Sequence, residues 1–316
     1  MKTLVILGLL FACSSAEAWQ RTFNFTYKEI EYSFSIQFDD AYINNCRAET
    51  KRWQNSNGAH SKEYQKNINK YVESYPCPKV VQTIAEKLHK EFLKVSKTRP
   101  WEEINFNIAF VNHLHYELDS VTYGEGEYYA TPFETIDKGQ QDCEDSSFLL
   151  SHLFYILGYN SLLITLSDHV AVCVDPFTGG KCFGSSSYQS EIDKWSSVNE
   201  SGTKYYYCES TPNKAEKCYQ MGTRPKFAQG KIFEQQLVVS ESQKKEIEKM
   251  EENVALVAKR LEASQNRANT NEIRVKDDFL DSDSRVIHSN GGALYIEKKQ
   301  RPVYVPLPDY KIPRFN

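Results

Sequence analysis

The stretch from Gly139 to Asp175, GQQDCEDSSFLLSHLFYILGYNSLLITLSDHVAVCVD, constrains the fold of this chain more than any other. Asp142 suits a helix cap, with Asp145 three positions on, and Leu149, Leu150, Leu153, Ile156 and Leu157 supply a buried face up to a stop at Gly158. Ser161–Leu166 and His169–Val174 then read as strands, and Asp175-Pro176-Phe177-Thr178-Gly179-Gly180 as the turn after the second. Cys143 therefore opens a helix, and His169 opens a strand 26 residues later.

That pairing has chemical meaning. A thiol attacks as thiolate, and the unpaired N–H groups and aligned peptide dipoles of a helix N-terminus favour the anion. An imidazole brought from another element can take the proton and return it to a leaving amine. Of the seven histidines, His113 and His115 lie two apart on an expected helix and face different ways, while His60, His89 and His288 sit in polar surroundings. His152 is nine positions along the helix of Cys143. At about 1.5 Å per residue that is too far from the sulfur. His169 remains. A third group, usually a carboxylate, fixes the imidazole tautomer. Glu209, in the run Tyr205-Tyr206-Tyr207-Cys208-Glu209-Ser210, is preferred because an adjacent antiparallel strand can bring it beside His169. Asp175 is about 20 Å away along the same strand, and Asp168 points to the opposite face. The Cys143 backbone N–H and the Gln141 side chain are the expected oxyanion donors. The scheme requires no metal and no cofactor.

Cysteine usage points the same way. Met1–Ala18 carries Lys2, an apolar run from Leu4 to Ala12 and small residues at Ala16 and Ala18, the pattern of a secretory leader cut before Trp19. Leu10-Phe11-Ala12-Cys13-Ser14-Ser15 also resembles a lipobox, in which Cys13 would carry a lipid anchor. Either reading puts the protein outside the cytoplasm, secreted or in the cell envelope. Of eight cysteines, Cys13 lies in the leader and seven remain, an odd number for an oxidising compartment. The simplest pairing is local: Cys46 with Cys77, Cys173 with Cys182, and Cys208 with Cys218. Cys143 is then the free thiol, the alternative being that it is itself bridged or buried.

Elsewhere, residues 19–40 alternate as two strands turning near Lys28 and Glu29, and 41–75 read as short helices and loop. A helix begins at Pro78 with Val80, Val81, Ile84, Leu88, Phe92 and Leu93 recurring at helical spacing, and another follows from Trp101 with Ile104, Ile108, Val111 and Leu114 on one face. Asp119–Lys138 reads as a loop, 185–203 as a polar insertion, and Lys204–Ser210 and Lys231–Val239 as strands. From Ser240, Ile247, Met250, Val254, Val257 and Leu261 recur at helical spacing, too briefly for a coiled coil, so this face is expected to pack on its own domain. The end is polar and Pro-containing, with a hairpin turn at Asn290-Gly291-Gly292. A net charge of −4 offers no surface for nucleic acid or an anionic membrane, and no stretch after the leader is apolar enough to span a bilayer. Asn24-Phe25-Thr26 and Asn199-Glu200-Ser201 are glycosylation acceptors if the source is eukaryotic.

The runs Tyr129-Ala130-Thr131-Pro132-Phe133-Glu134-Thr135 and Gly139-Gln140-Gln141-Asp142-Cys143-Glu144-Asp145 resemble the P-x-E-T and G-x-G-D-C-E-D signature of microbial transglutaminase-like cysteine proteins. The resemblance extends to Gly158-Tyr159, His169-Val170-Ala171-Val172, Tyr205 through Thr211, and Met221-Gly222, and covers residues 19–239 in layout. It departs at Gln141, where the family has glycine, and in a lengthened His169-to-Glu209 interval. It implies an α+β fold: a papain-like core over 76–239 with the cysteine-bearing helix packed on an antiparallel sheet. Flanking it are an N-terminal β-containing segment, 19–75, and a C-terminal helix and Pro-containing tail, 240–316. It also implies Cys143 as nucleophile, His169 as base and Glu209 as orienting carboxylate. The expected activity is that of an exported thiol peptidase or amidase acting on a protein or peptide through an acyl-enzyme. Acyl transfer to a lysine amine and a non-catalytic envelope binding module are the alternatives. Oligomeric state is left open.

Overall fold

The computed structural model describes residues 18–57, 67–72, 74–95, 99, 101–167, 169–177, 192–211, 220–268, 284–288 and 294–298. The leader with Cys13, the cysteines Cys182 and Cys218, the turn at 290–292 and the Pro-containing tail lie outside them.

β1 (Ala18–Tyr27) and β2 (Ile30–Asp39) form the expected hairpin, in register from Ala18 opposite Asp39 to Tyr27 opposite Ile30. Lys28 and Glu29 take φ of 50° and 65°, the left-handed two-residue turn whose twist matches paired strands. Where short helices and loop were expected, the chain instead forms α1 (Asp40–Asn57), followed by the short α2 (Ile68–Tyr71). The buried stripe of α1 is Ile43, Cys46, Thr50 and Gln54, too polar to announce a helix by hydrophobic period. A Cys46–Cys77 disulfide clamps α1 to the start of α3 (Pro78–Phe92), which begins at the expected proline.

α4 (Glu102–Asn112) is buried on every side. The aromatic face of the hairpin, Phe23, Phe25, Tyr27 and Phe34, packs against its Phe106 and Phe110. This helix is shorter than expected, and His115 lies beyond it in β3 (His115–Tyr116). The expected loop at 119–138 contains α5 (Asp119–Thr122) and α6 (Pro132–Lys138). The latter is closed by a Thr131/Glu134 capping box that the Thr131-Pro132-Phe133-Glu134 run carries in plain view. β4 (Gln140–Gln141) pairs parallel with β3 and delivers the chain to α7 (Cys143–Leu157). As the sequence predicts, Asp142 caps α7, its side chain accepting the Asp145 N–H at 3.2 Å, and Gly158 ends it with φ 85°.

β5 (Ser161–Thr165), β6 (Val170–Val174), β7 (Ser197–Glu200), β8 (Thr203–Cys208) and β9 (Glu234–Val238) make one antiparallel sheet in the order β7-β8-β6-β5-β9. β7 falls in the segment expected as a polar insertion. α7 packs on β5 and β6 from one side. On the other face Leu162, Ile164, Ala171, Cys173, Tyr205 and Tyr207 join Leu166 and Ala228 in a second, smaller core. The fold is thus α+β with an antiparallel sheet. Residues through Met250 form one compact unit and Glu251–Asn316 a second. α8 (Glu241–Ala268) crosses that division, and β10 (Ser284–His288) pairs with β11 (Leu294–Lys298) in the second unit. Ile247, Met250 and Val254, expected to pack, are exposed by 39%, 58% and 68%. None of the described helices is long and apolar enough to cross a membrane.

Candidate functional site

His169 stands at the entry to β6, and Glu209 just past the end of its neighbour β8, where Val172 faces Cys208. Nε2 of His169 lies 3.1 Å from both carboxylate oxygens of Glu209, and the two side chains are 8% and 0% exposed. Each oxygen has a second donor: the Tyr207 hydroxyl reaches Oε2 at 2.7 Å and the Thr211 N–H reaches Oε1 at 2.9 Å. The proton of the pair therefore sits on Nε2, which leaves Nδ1 as the accepting nitrogen. Asn112 Nδ2, at the end of α4, donates to the Glu209 carbonyl at 2.9 Å. Tyr207 and Asn112 were not singled out in the sequence; the alternation that turns Tyr207 and Glu209 to one side of β8 was the available signal.

The first turn of α7 docks beside this pair. Ser147 Oγ donates to the Val170 carbonyl at 3.0 Å, and the Ser146 and Ser147 hydroxyls lie 3.0 and 3.1 Å from that of Ser210. The Val170 N–H is near enough to the Cys143 thiol to favour its anion. Val170 follows His169 and Ser210 follows Glu209, so the structure brings Cys143, His169 and Glu209 to one end of the sheet.

The electrostatics differ from expectation. Burial pushes the Cys143 thiol up well above its ordinary range, and Glu144 adds to this by charge and by hydrogen bond, followed by the charge of Asp142, against the Val170 N–H. Its Sγ donates to Glu144 Oε2 at 2.8 Å. A helix end favours an anion by about 0.3–2 kcal/mol, whereas a carboxylate about 4 Å away opposes it by about 4 kcal/mol near a protein surface. The acids that flank Cys143 in the sequence thus outweigh the dipole argument.

Those acids form a cluster. Asp119, Asp142 and Asp145, all buried, each offer an oxygen within 4.8 Å of the others. Burial first, then the charge of Glu144, pushes the Asp142 carboxyl up to about 7. Burial also raises Glu144 and Asp145, the latter further raised by Asp142 and Asp119. Asp145 accepts the Ala130 N–H at 2.9 Å through Oδ1, and its buried Oδ2 has no hydrogen-bond partner among the described residues. Such an oxygen set is of the kind that holds a hard cation. The sequence reading required no metal, and Asp119, 23 residues before Asp142, enters only through the fold. Tyr116 on β3 borders the site: burial first, and then its neighbours at the start of α7, the acids Asp142 and Glu144 among them, hold its phenol up at about 12.

Gln141, expected as an oxyanion donor, is found in a structural contact. It is 1% exposed, and its Nε2 is committed to the Val111 carbonyl at 2.7 Å, so its side chain pins the approach strand to α4. The cysteine pairing is corrected in part. Cys46–Cys77 forms, but Cys173 and Cys208 are free thiols, fully buried on opposite faces of the sheet, so neither enters the expected bridge to Cys182 or Cys218. Cys143 is one of three free thiols among the described residues, and the half-buried one. His152 is a core residue between the rings of Tyr75 and Tyr155, pushed down to about 4 by burial. No protein-family model matches the sequence, and no curated protein matches it significantly.

Proposed function

We propose that this chain is a thiol enzyme of papain-like, transglutaminase-like type that acts on amide bonds outside the cytoplasm. Cys143 is the nucleophile, His169 the base and Glu209 the orienting carboxylate. The observation that carries this reading is the buried His169–Glu209 pair, with Nε2 3.1 Å from both oxygens, set beside the helix turn that bears Cys143. The thiol starts neutral, so it must turn from Glu144 to Nδ1 of His169 and give up its proton as the sulfur bonds to the carbonyl carbon. The Cys143 N–H faces the developing oxyanion. Collapse expels the amine, which takes the proton from Nδ1, and leaves a thioester. Water, losing a proton to the same nitrogen, then releases the acid and restores the thiol.

Alkylation by iodoacetamide tests this without a known substrate. Cys143 in the folded protein should react at least about tenfold faster than in His169→Ala, and Glu209→Ala should fall between the two. Equal rates in all three proteins would remove the triad. A peptide substrate offered with a labelled primary amine then separates hydrolysis from transfer: amine incorporation without cleavage would replace the hydrolase by a transglutaminase.

A further inference from the structure

The imidazole is bounded by two elements that have no part in the proposed triad. On one side the Tyr207 hydroxyl fixes Glu209 at 2.7 Å. On the other, the ring of Phe227 stands edge-on to His169, with centroids 5.4 Å apart at 83°. Phe227 sits in the short turn Lys226–Ala228 and is 54% exposed. Exposed turns seldom hold an aromatic ring in place by themselves, because ordering it costs conformational entropy. Here one cation links both boundaries. Arg224 donates through Nε to the Ala228 carbonyl and through Nη2 to the Gly230 carbonyl, both at 2.6 Å, which closes the turn around Phe227. Its Cζ also lies 5.7 Å from the ring centroid of Tyr207. Gly230 is seated against the other approach to the site: a Cβ there would come within 2.8 Å of Ser167 Oγ, two residues before His169.

We propose that Tyr207 and Arg224 are positioning residues for His169, Tyr207 through the Glu209 carboxylate and Arg224 by holding both the Tyr207 ring and the turn that seats Phe227 on the imidazole. The inference rests on reading His169 as the base. Tyr207 sets the depth of the carboxylate and thereby the Nε2–H tautomer. Arg224 sets the tilt of the ring and so the direction of Nδ1. Lysine could not replace it, because a single ammonium cannot reach two carbonyls in the fixed fork geometry of a guanidinium while also stacking on an aromatic face. Among the described residues, the charged or titratable groups set around the imidazole and its carboxylate are Glu209 from the end of β8, the Tyr207 phenol on that carboxylate, Cys173 on the same face of β6 and, behind the Tyr207 ring, Arg224, with Cys143 at the neighbouring turn of α7.

The test follows the His169 ring protons by NMR in the full-length protein, alongside iodoacetamide alkylation of Cys143, for Tyr207→Phe, Arg224→Lys and Phe227→Ala. Tyr207→Phe preserves the packed ring; with one donor lost, the Glu209 carboxylate is free to shift against the imidazole, and the His169 ring-proton resonances should move from their parent positions. Arg224→Lys should move the His169 resonances toward those of Phe227→Ala, because the ring-current contribution of Phe227 is lost. Both variants should slow alkylation severalfold. Unchanged His169 resonances in the folded Tyr207→Phe and Arg224→Lys proteins would overturn the proposal, whatever happens to alkylation. If the resonances move as stated while His169→Ala leaves alkylation untouched, the positioning stands and the enzyme reading falls.

Discussion

The thiol of Cys143 donates its one proton to the Glu144 carboxylate at 2.8 Å, so in the resting site that proton is held by an acid and not by the base that the proposed chemistry assigns to it. Glu144 raises the thiol both by charge and by accepting this bond. Glu144→Gln removes the charge, and the alkylation rate of Cys143 at pH 7 should rise by about tenfold or more, one decade for each unit by which the thiol is lowered. A rate equal to that of the parent protein would mean that Glu144 does not restrain the sulfur.

The Asp142 carboxyl provides a pH signature with a definite sign. Its ordinary value is 3.8 and it is pushed up to about 7 in the fold, so between those limits the folded protein holds a proton that the unfolded chain has lost. Its contribution to stability is complete below about 3.8, declines as pH rises, and is gone above about 7. Asparagine is as good a helix cap and does not titrate. Thermal melts of Asp142→Asn and the parent protein should therefore diverge between pH 5 and pH 8, the variant gaining most at the alkaline end. Parallel curves would contradict the raised carboxyl.

Gln141 should behave as a structural residue. Gln141→Ala removes one donor from the Val111 carbonyl, which still accepts the Leu114 N–H at 3.1 Å, and should cost about 0.5–1.5 kcal/mol, read as a lower melting temperature, with Cys143 alkylation close to the parent rate. A residue that stabilised an oxyanion would show the reverse, unchanged melting and impaired turnover.

The disulfide clamp closes a sequence separation of 31 residues between α1 and α3. Replacing Cys46 and Cys77 together by serine should cost about 3–4 kcal/mol by loop-closure entropy, seen in denaturant melts. Titration of the native protein with a thiol reagent should leave Cys173 and Cys208 unmodified until it unfolds, because both are fully buried. Their reaction at the rate of Cys143 would show that the sheet opens.

Much of the site was readable from local pattern. The Asp142 cap, the Gly158 stop, the turn at Lys28 and Glu29, the proline that starts α3 and the paired strands after α7 all depend on residues close in sequence, where backbone geometry and side-chain period are decided. That is why Cys143, His169 and Glu209 could be nominated together. α1 escaped because half of its buried stripe, Thr50 and Gln54, is polar, and β7 because it is four residues long with no fully buried position, so no period stands out.

What only the tertiary structure decided concerns neighbours distant along the chain. Asp119 meets Asp142 and Asp145, Gln141 turns to Val111, Arg224 reaches the Tyr207 ring, and Cys173 and Cys208 remain thiols on opposite faces of one sheet. The sequence by itself determined which groups are available at the end of that sheet and on which elements they ride. Protonation, tautomer and donor direction followed from burial and from charges a few ångströms away, and those distances exist only once the chain has closed on itself.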